Sequence, residues 1–228
     1  MNIKLILALV LLFLISCSKS PVELFQIAEQ KLKNKKPDLA LVDLEELLEK
    51  YPNDSLAASA LYKMSTIHIN WNNNLSSGFR TLEELVKRFP KSKQGEQAKI
   101  EIEEFPDFVL NKTESLRKKD MTKEAVENLM YLIENYPKHE LLPKAQYMLG
   151  DLYMNDLRDF NTAIQQYRKV IEDYAGSEQE PHALFMIGYV YANVLNDIKS
   201  AKIEYEEFLK RFPKHELSPS VQYEIDYL

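Results

Sequence analysis

Cysteine is almost absent from this chain, whose 228 residues include only Cys17. Exported domains that bury too little apolar surface are usually held by disulfides, which require paired cysteines. Because no second cysteine can pair with Cys17, packing of apolar side chains must hold the fold.

Glycine is also scarce, with five scattered residues. A phosphate-binding loop needs several glycines close together, so we expect no such loop. Few glycines, and ten prolines that lie mostly at junctions, favour helices over sheet. The sequence therefore predicts an all-α fold.

Positive charge is not in excess, since the net charge is −6. Nucleic-acid-binding surfaces are basic, so we predict no nucleic-acid partner. Beyond the N-terminal segment, no apolar stretch is long enough to cross a bilayer.

Catalytic and metal-binding patterns are missing as well. The His-Glu pairs at 139–140 and 215–216 begin like a zinc-protease helix, but Pro143 and Pro219 stand where the second histidine would be needed. We interpret these histidines as structural caps. No two carboxylates are singled out for acid–base chemistry. We predict no enzyme, no cofactor, no metal and no small-molecule substrate.

What the chain does contain is a repeat. The segment 136–143 returns at 212–219, and 174–181 has the same layout halfway between them. Aromatic–proline junctions continue the pattern upstream at 51–52 and 89–90. The steps between successive junctions are 38, 47, 38 and 38. A fixed period of this size is typical of a helical solenoid.

Each repeat carries one apolar helical stripe. A small residue is followed by larger apolar residues four and seven positions later, which places all three on one helix face. The small residues are Ala40, Gly78, Ala125, Ala163 and Ala201. We expect a neighbouring helix to approach closely at each of them.

The pattern predicts five helix pairs and a lone final helix. The predicted ranges are 22–34 with 37–50, 54–71 with 75–88, 93–118 with 121–135, 140–155 with 159–173, 178–194 with 197–211, and 216–228. Ser177 with Glu180 fits a capping box, and Asp159 and Asp197 are expected to open the helices that follow them.

Nine extra residues lie between Ser92 and Ala125, around Pro106. One interpretation is a helix that is kinked or broken at the proline. The other is a specialised docking element, because several basic residues follow. These are Lys112, Arg117, Lys118, Lys119 and Lys123.

The N-terminus has the composition of an export signal. Lys4 precedes an apolar run of eleven residues, 5–15, which is too short for a membrane span. The segment 14–17, Leu-Ile-Ser-Cys, resembles a bacterial lipobox. The resemblance implies cleavage before Cys17 and its lipidation, and Ser18 implies sorting to the outer membrane. We therefore predict a signal peptide at 1–16, a lipidated tether at 17–21 and a repeat domain at 22–228.

The second half of the chain resembles a tetratricopeptide repeat. The segments 146–153 and 184–191 carry Gly150 and Gly188 at the family's glycine position. The resemblance implies a solenoid of about five 38-residue repeats plus a capping helix, with close helix crossings at those glycines.

The same resemblance implies a concave groove lined by first helices. The residues it assigns to the groove are Tyr62, Thr66, Tyr147, Asp151, Phe185, Tyr189 and Tyr223. One interpretation is a row of aromatics that receives a partner peptide. The alternative is that these rings are buried between neighbouring first helices.

Lipobox and repeats together resemble the outer-membrane lipoprotein of the β-barrel assembly machinery, the BamD type. That resemblance implies a non-catalytic scaffold, anchored by lipid at the periplasmic face of the outer membrane, with protein partners. A periplasmic repeat protein of the Tol-Pal system, the YbgF type, is an alternative, although the coiled coil usual in that family is missing. A secretin-pilot-like lipoprotein is a second alternative.

Overall fold

The computed structural model describes residues 19–228, and all regular secondary structure in that range is helical. The α-helices in this range are α1 (Pro21–Lys33), α2 (Pro37–Lys50), α3 (Ala57–Asn70), α4 (Leu75–Arg88), α5 (Lys93–Glu103), α6 (Phe105–Arg117), α7 (Thr122–Asn135), α8 (Leu142–Asp151), α9 (Phe160–Asp173), α10 (Gln179–Asn193), α11 (Ile198–Arg211) and α12 (Ser218–Asp226). Helix α8 continues into a π-helical turn, Leu152–Asp156. The predicted all-α class is confirmed.

The chain forms two compact units that meet in sequence between Glu103 and Glu104. In unit 1 (described residues 19–103), α1 pairs with α2 and α3 with α4, and α5 packs on α3 and α4. In unit 2 (residues 104–228), α6 pairs with α7, α8 with α9 and α10 with α11, and α12 packs on α11. Each pair is one helix-turn-helix repeat. A single repeat domain over 22–228 stays a prediction.

The predicted apolar stripe forms the core of every repeat. All five small residues are buried, and so are the residues four and seven positions after each of them. Burial of a large aliphatic side chain stabilises a fold by about 1.5–3 kcal/mol. Recurrence of the stripe in every pair therefore explains how the chain folds without disulfides.

The two repeat glycines lie where a helix meets a tyrosine ring. A Cβ atom on Gly150 would lie 2.5 Å from Cε1 of Tyr167, and one on Gly188 would lie 2.5 Å from Cε1 of Tyr205. Real Cβ contacts are essentially never this short, so each position needs a residue without a side chain. The close crossings expected at these glycines are confirmed.

The nine extra residues mark a break in a helix. Helix α5 ends at Glu103 and α6 begins at Phe105, so the predicted helix 93–118 is two helices. Pro106 lies in the first turn of α6, where its missing N–H removes no helical hydrogen bond. The broken-helix interpretation is confirmed, while a docking role for the basic residues stays a prediction.

Helix starts follow the predictions at two aspartates. Oδ1 of Asp159 accepts a 3.1 Å hydrogen bond from the backbone N–H of Thr162, and Oδ1 of Asp197 accepts one of 3.1 Å from that of Ser200. The histidines are structural as expected: Nδ1 of His139 accepts from the N–H of Leu141 at 3.3 Å. Nδ1 of His215 accepts the corresponding hydrogen bond from the N–H of Leu217, at 3.2 Å, two repeats later.

The capping box predicted for Ser177 is wrong. Its Oγ is buried and makes no hydrogen bond within residues 19–228, and α10 begins at Gln179 without a side-chain cap. The Glu180 carboxylate instead forms an ion pair with Arg211 and accepts a 2.5 Å hydrogen bond from the N–H of Gly176. Because Arg211 lies on α11, the charge partner diverts Glu180 from the capping role.

Candidate partner-binding site

The predicted lipidation site, Cys17, lies outside the described residues. The described residues begin two residues later, where the backbone carbonyl of Lys19 accepts a 3.0 Å hydrogen bond from the hydroxyl of Tyr51. Ser20 then caps α1 in a reciprocal box with Glu23. The first helix therefore begins at Pro21, and only a few residues separate Cys17 from it in the sequence.

Unit 2 contains a cleft of about 490 Å³ along the first helices of three consecutive repeats, α6, α8 and α10. Its lining residues are Thr113, Glu114, Arg117, Lys118, Lys144, Tyr147, Met148, Asp151, Leu152, Glu178, Gln179 and His182. Two of the predicted groove residues, Tyr147 and Asp151, are among them. The cleft has apolar walls with charged groups of both signs.

Asp151 lies at the end of α8, where the π-helical turn begins. Its Oδ1 accepts a 2.6 Å hydrogen bond from the hydroxyl of Tyr167. Burial raises the pKa of the Asp151 carboxyl, while the Tyr167 hydrogen bond and the charge of Arg117 act in the opposite direction. Asp156, at the end of the π-helical turn, forms a 2.8 Å ion pair with Arg117. The turn thus connects α8 electrostatically to the end of α6.

Tyr147 is half-buried and lines the cleft. Its ring packs 5.4 Å from that of Tyr167 and meets the His182 ring edge-on at 6.4 Å, measured between centroids. Burial raises the pKa of the Tyr147 hydroxyl, so it is a neutral hydrogen-bond donor at physiological pH. The Tyr147 side chain therefore packs on Tyr167 and also lines the cleft.

The later aromatics of unit 2 differ in exposure. Phe185 is half-buried, with its ring 6.0 Å from that of Tyr205 and 6.4 Å from that of Tyr189. Tyr189 is 36% exposed and Tyr223 is 60% exposed. The alternative interpretation, in which the rings are buried between neighbouring helices, therefore holds in part for Phe185 but does not hold for Tyr223.

In unit 1 the predicted groove residues are tied to structural partners. The hydroxyl of half-buried Tyr62 donates a 2.5 Å hydrogen bond to Oε1 of Glu101 on α5. Burial and this hydrogen bond raise the pKa of Tyr62 to about 12. Thr66 donates its hydroxyl hydrogen to the backbone carbonyl of Tyr62 at 3.0 Å. Tyr62 thus holds α5 against α3.

Several charged contacts of the repeats escape sequence reasoning. Arg168 forms a two-pronged ion pair with Glu204, at 3.0 and 2.6 Å, between the second helices of adjacent repeats. Buried Asp43 forms an ion pair with Lys31 inside the first repeat. A polar residue three positions after the small residue of each repeat was a usable signal, although the spacing does not predict its partner.

Within residues 19–228, no helix combines the length and hydropathy needed to span a bilayer. The same part of the chain brings together no group of three or more His, Cys, Asp or Glu residues that could bind a metal ion.

Two family models match the chain. YfiO, described as "Outer membrane lipoprotein", matches residues 18–153. A tetratricopeptide-repeat model matches residues 144–177 and 182–215, two segments whose starts stand one repeat period apart. The spacing of the two matched segments therefore equals the period predicted from the junctions, and the predicted tetratricopeptide solenoid is confirmed.

Solved structures similar to the chain include tetratricopeptide-repeat proteins. MamA from Desulfovibrio magneticus RS-1 is 17% identical, with 88% of this chain and 99% of that chain covered and a TM-score of 0.39. YrrB, titled "a TPR protein with an unusual peptide-binding site", is 17% identical, with 90% and 92% covered and a TM-score of 0.41. TTC0263, a repeat protein from Thermus thermophilus, is 18% identical, with 90% and 97% covered and a TM-score of 0.37. A comparison with curated proteins finds no match.

The repeats described by the second model form a protein-interaction scaffold. The first model covers more than half of the chain and includes residues of both units. The chain therefore belongs to the outer membrane lipoprotein family that the YfiO model describes.

Proposed function

We propose that this protein is a non-catalytic scaffold for the assembly of outer-membrane β-barrel proteins, held at the periplasmic face of the outer membrane by a lipid on Cys17. The observation that carries the proposal is the family match, which begins at residue 18, directly after the lipobox cysteine. A lipid at that position would keep the first repeat within a few residues of the membrane.

The cleft of unit 2 supports a binding role. A volume of about 490 Å³ accommodates a few side chains of a partner segment. Tyr147 offers an aromatic surface that is already ordered by Tyr167, so its immobilisation costs little on binding. Ordered aromatic anchors in a partly desolvated cleft are typical binding hot spots.

The partner-contacting residues are a further part of the proposal. In unit 2 they are Tyr147, Asp151, Phe185, Tyr189 and Tyr223. In unit 1 they are Tyr62 and Thr66, but Tyr62 must then bind a partner with its ring, because its hydroxyl is engaged by Glu101. Proteins are the expected partners, and lipid is the expected membrane contact.

Depletion of the protein from its own cells tests the assembly role. The amounts of folded outer-membrane barrels, measured by heat-modifiable mobility on gels, should fall before growth stops. Re-expression of the wild-type chain should restore them. Affinity purification from membranes in mild detergent should recover components of the barrel-assembly machinery.

The alternatives make different predictions in the same experiment. Normal barrel levels with disturbed septal constriction would replace the assembly role by the Tol-Pal role. Mislocalised secretin multimers with normal barrels would favour a pilot lipoprotein. Either result would reject barrel assembly as the function.

A further inference from the structure

The last two first helices of unit 2 present the same pair of aromatic positions. Phe185 and Tyr189 are four residues apart on α10, and Tyr223 and Tyr227 stand at the same places in the next repeat, on α12 and directly after it. The ring centroids of the first pair are 6.4 Å apart, and those of the second pair 4.4 Å apart. We call these four residues the aromatic face.

The aromatic face is open to solvent towards the end of the chain. Tyr189 is 36% exposed, Tyr223 is 60% exposed and Tyr227 is 76% exposed. Below it, α10, α11 and α12 share one core cluster that includes Leu184 and Val221. The helices that carry the face are therefore packed on one core, while Tyr223 and Tyr227 keep most of their surface open to solvent.

On the two helices that carry this face, the charged side chains are carboxylates. Neither α10 nor α12 contains a lysine or arginine. Glu180 on α10 is buried and paired with Arg211, which leaves Glu224 and Asp226 on α12 as the carboxylates beside the rings. No ion pair joins Glu224 to another described residue. Glu224 directly follows Tyr223 on α12 and precedes Tyr227 by three residues, which is the spacing of neighbouring positions on a helix surface.

Exposed tyrosine faces and carboxylates that lack an ion pair favour the same kind of ligand group. A guanidinium stacks on an aromatic ring through cation–π attraction, and its planar fork donates hydrogen bonds to a carboxylate at the same time. An ammonium group is more strongly hydrated and stacks less well. An anionic segment would be repelled by Glu224 and Asp226.

We propose that the aromatic face binds an arginine-bearing segment of a partner protein, with the guanidinium stacked on Tyr223 or Tyr227 and paired with Glu224. The proposal rests on the scaffold function above, which it deepens by naming the partner's chemistry. Phe185 and Tyr189 hold the apolar part of the same segment.

A binding assay on the full chain in detergent tests the proposal. The probes are fluorescent synthetic peptides that contain two arginines, two lysines or two citrullines in an otherwise identical sequence. Citrulline keeps the shape of arginine but lacks its charge. One exposed cation–π contact corresponds to roughly two- to fivefold in affinity, so we expect the arginine peptide to bind roughly two- to fivefold more tightly than the citrulline peptide. The lysine peptide should lie between them.

Variants locate the site. The double variant Tyr223→Ala/Tyr227→Ala should abolish the arginine preference, while Tyr223→Phe/Tyr227→Phe should keep it because the rings remain. Glu224→Gln should reduce the preference without removing it. Trp71→Ala, which removes another exposed aromatic in unit 1, is the matched control and should change nothing. Thermal melts followed by circular dichroism must show that the exposed double variant is folded.

Three outcomes would overturn the proposal. These are equal affinity for the arginine and citrulline peptides, an arginine preference that survives Tyr223→Ala/Tyr227→Ala, and a concentration-dependent dimer that this double variant dissolves and the peptide does not. The last would assign the face to a second copy of the chain. In each case, copurification with assembly components would still test the scaffold function separately.

Discussion

The hydroxyl of Tyr167 donates a 2.6 Å hydrogen bond to Oδ1 of Asp151, whereas the equivalent hydroxyl of Tyr205 makes no hydrogen bond within residues 19–228. Each ring lies against a repeat glycine, and a Cβ atom on either glycine would lie 2.5 Å from Cε1 of the tyrosine. The difference comes from the position after that glycine, which is Asp151 in one repeat and Tyr189 in the next.

This contrast gives a matched pair of variants. Tyr167→Phe should lower the free energy of unfolding by about 1–3 kcal/mol, because it leaves a partly buried carboxylate without its donor. Tyr205→Phe should be neutral or stabilising, since it removes a buried hydroxyl that has no partner. Urea unfolding followed by circular dichroism measures both. Equal losses in the two variants would contradict the difference in hydrogen bonding.

The Asp151 carboxyl predicts a pH dependence of stability. Its pKa is raised in the folded state above the ordinary value of 3.8, so the folded chain holds this proton at a pH where the unfolded chain has released it. Stability from this group is therefore complete below pH 3.8 and is lost as pH rises through the folded pKa. Asp151→Asn keeps an acceptor for Tyr167 and should remove this part of the pH dependence. A wild-type slope that persists unchanged in Asp151→Asn would show that other groups cause it.

Ala163 tests the close approach of helices in the core. It is fully buried, and a leucine there would overpack the crossing at a cost of about 1–3 kcal/mol. Lys169 is exposed on the same helix, and Lys169→Gln should change stability by no more than about 0.5 kcal/mol. Denaturant midpoints compare the two variants. Identical midpoints would mean that the repeat register places Ala163 wrongly.

Cys17→Ala tests the anchor. Without its thiol the chain cannot receive the lipid that the lipobox predicts, so labelling with radioactive fatty acid should disappear. The protein should then be soluble or remain unprocessed. Ser18→Ala keeps the cysteine and is the control, in which labelling should persist. Labelled Cys17→Ala protein would refute lipidation at this residue.

Tyr147 and Phe185 test the groove. If they are partner contacts, truncating both to alanine should weaken partner capture by about 2 kcal/mol or more, which is roughly thirtyfold. Helical content should be retained. If the rings are mainly structural, the double variant should instead show a lower melting temperature, because Tyr147 packs on Tyr167 and Phe185 on Tyr205. Melting and capture must therefore be measured on the same preparation.

The sequence alone determined the second helix of each repeat and its buried face. The stripe that begins at Ala163 continues through Tyr167 and Val170, and all three are fully buried. Such a stripe depends on residues within two turns of one helix, so burial follows from local spacing. Recurrence of the stripe with a fixed period then made each repeat a check on the others.

The tertiary structure decided which polar groups meet. Ser177 and Glu180 have the spacing of a capping box, yet Glu180 pairs with Arg211 on the next second helix. Likewise, Asp151 accepts a hydrogen bond from Tyr167, its pKa is affected by the charge of Arg117, and a π-helical turn begins directly after it. A buried carboxylate takes the strongest donor within reach, and reach is set by helix packing between repeats. Spacing along one helix does not contain that information.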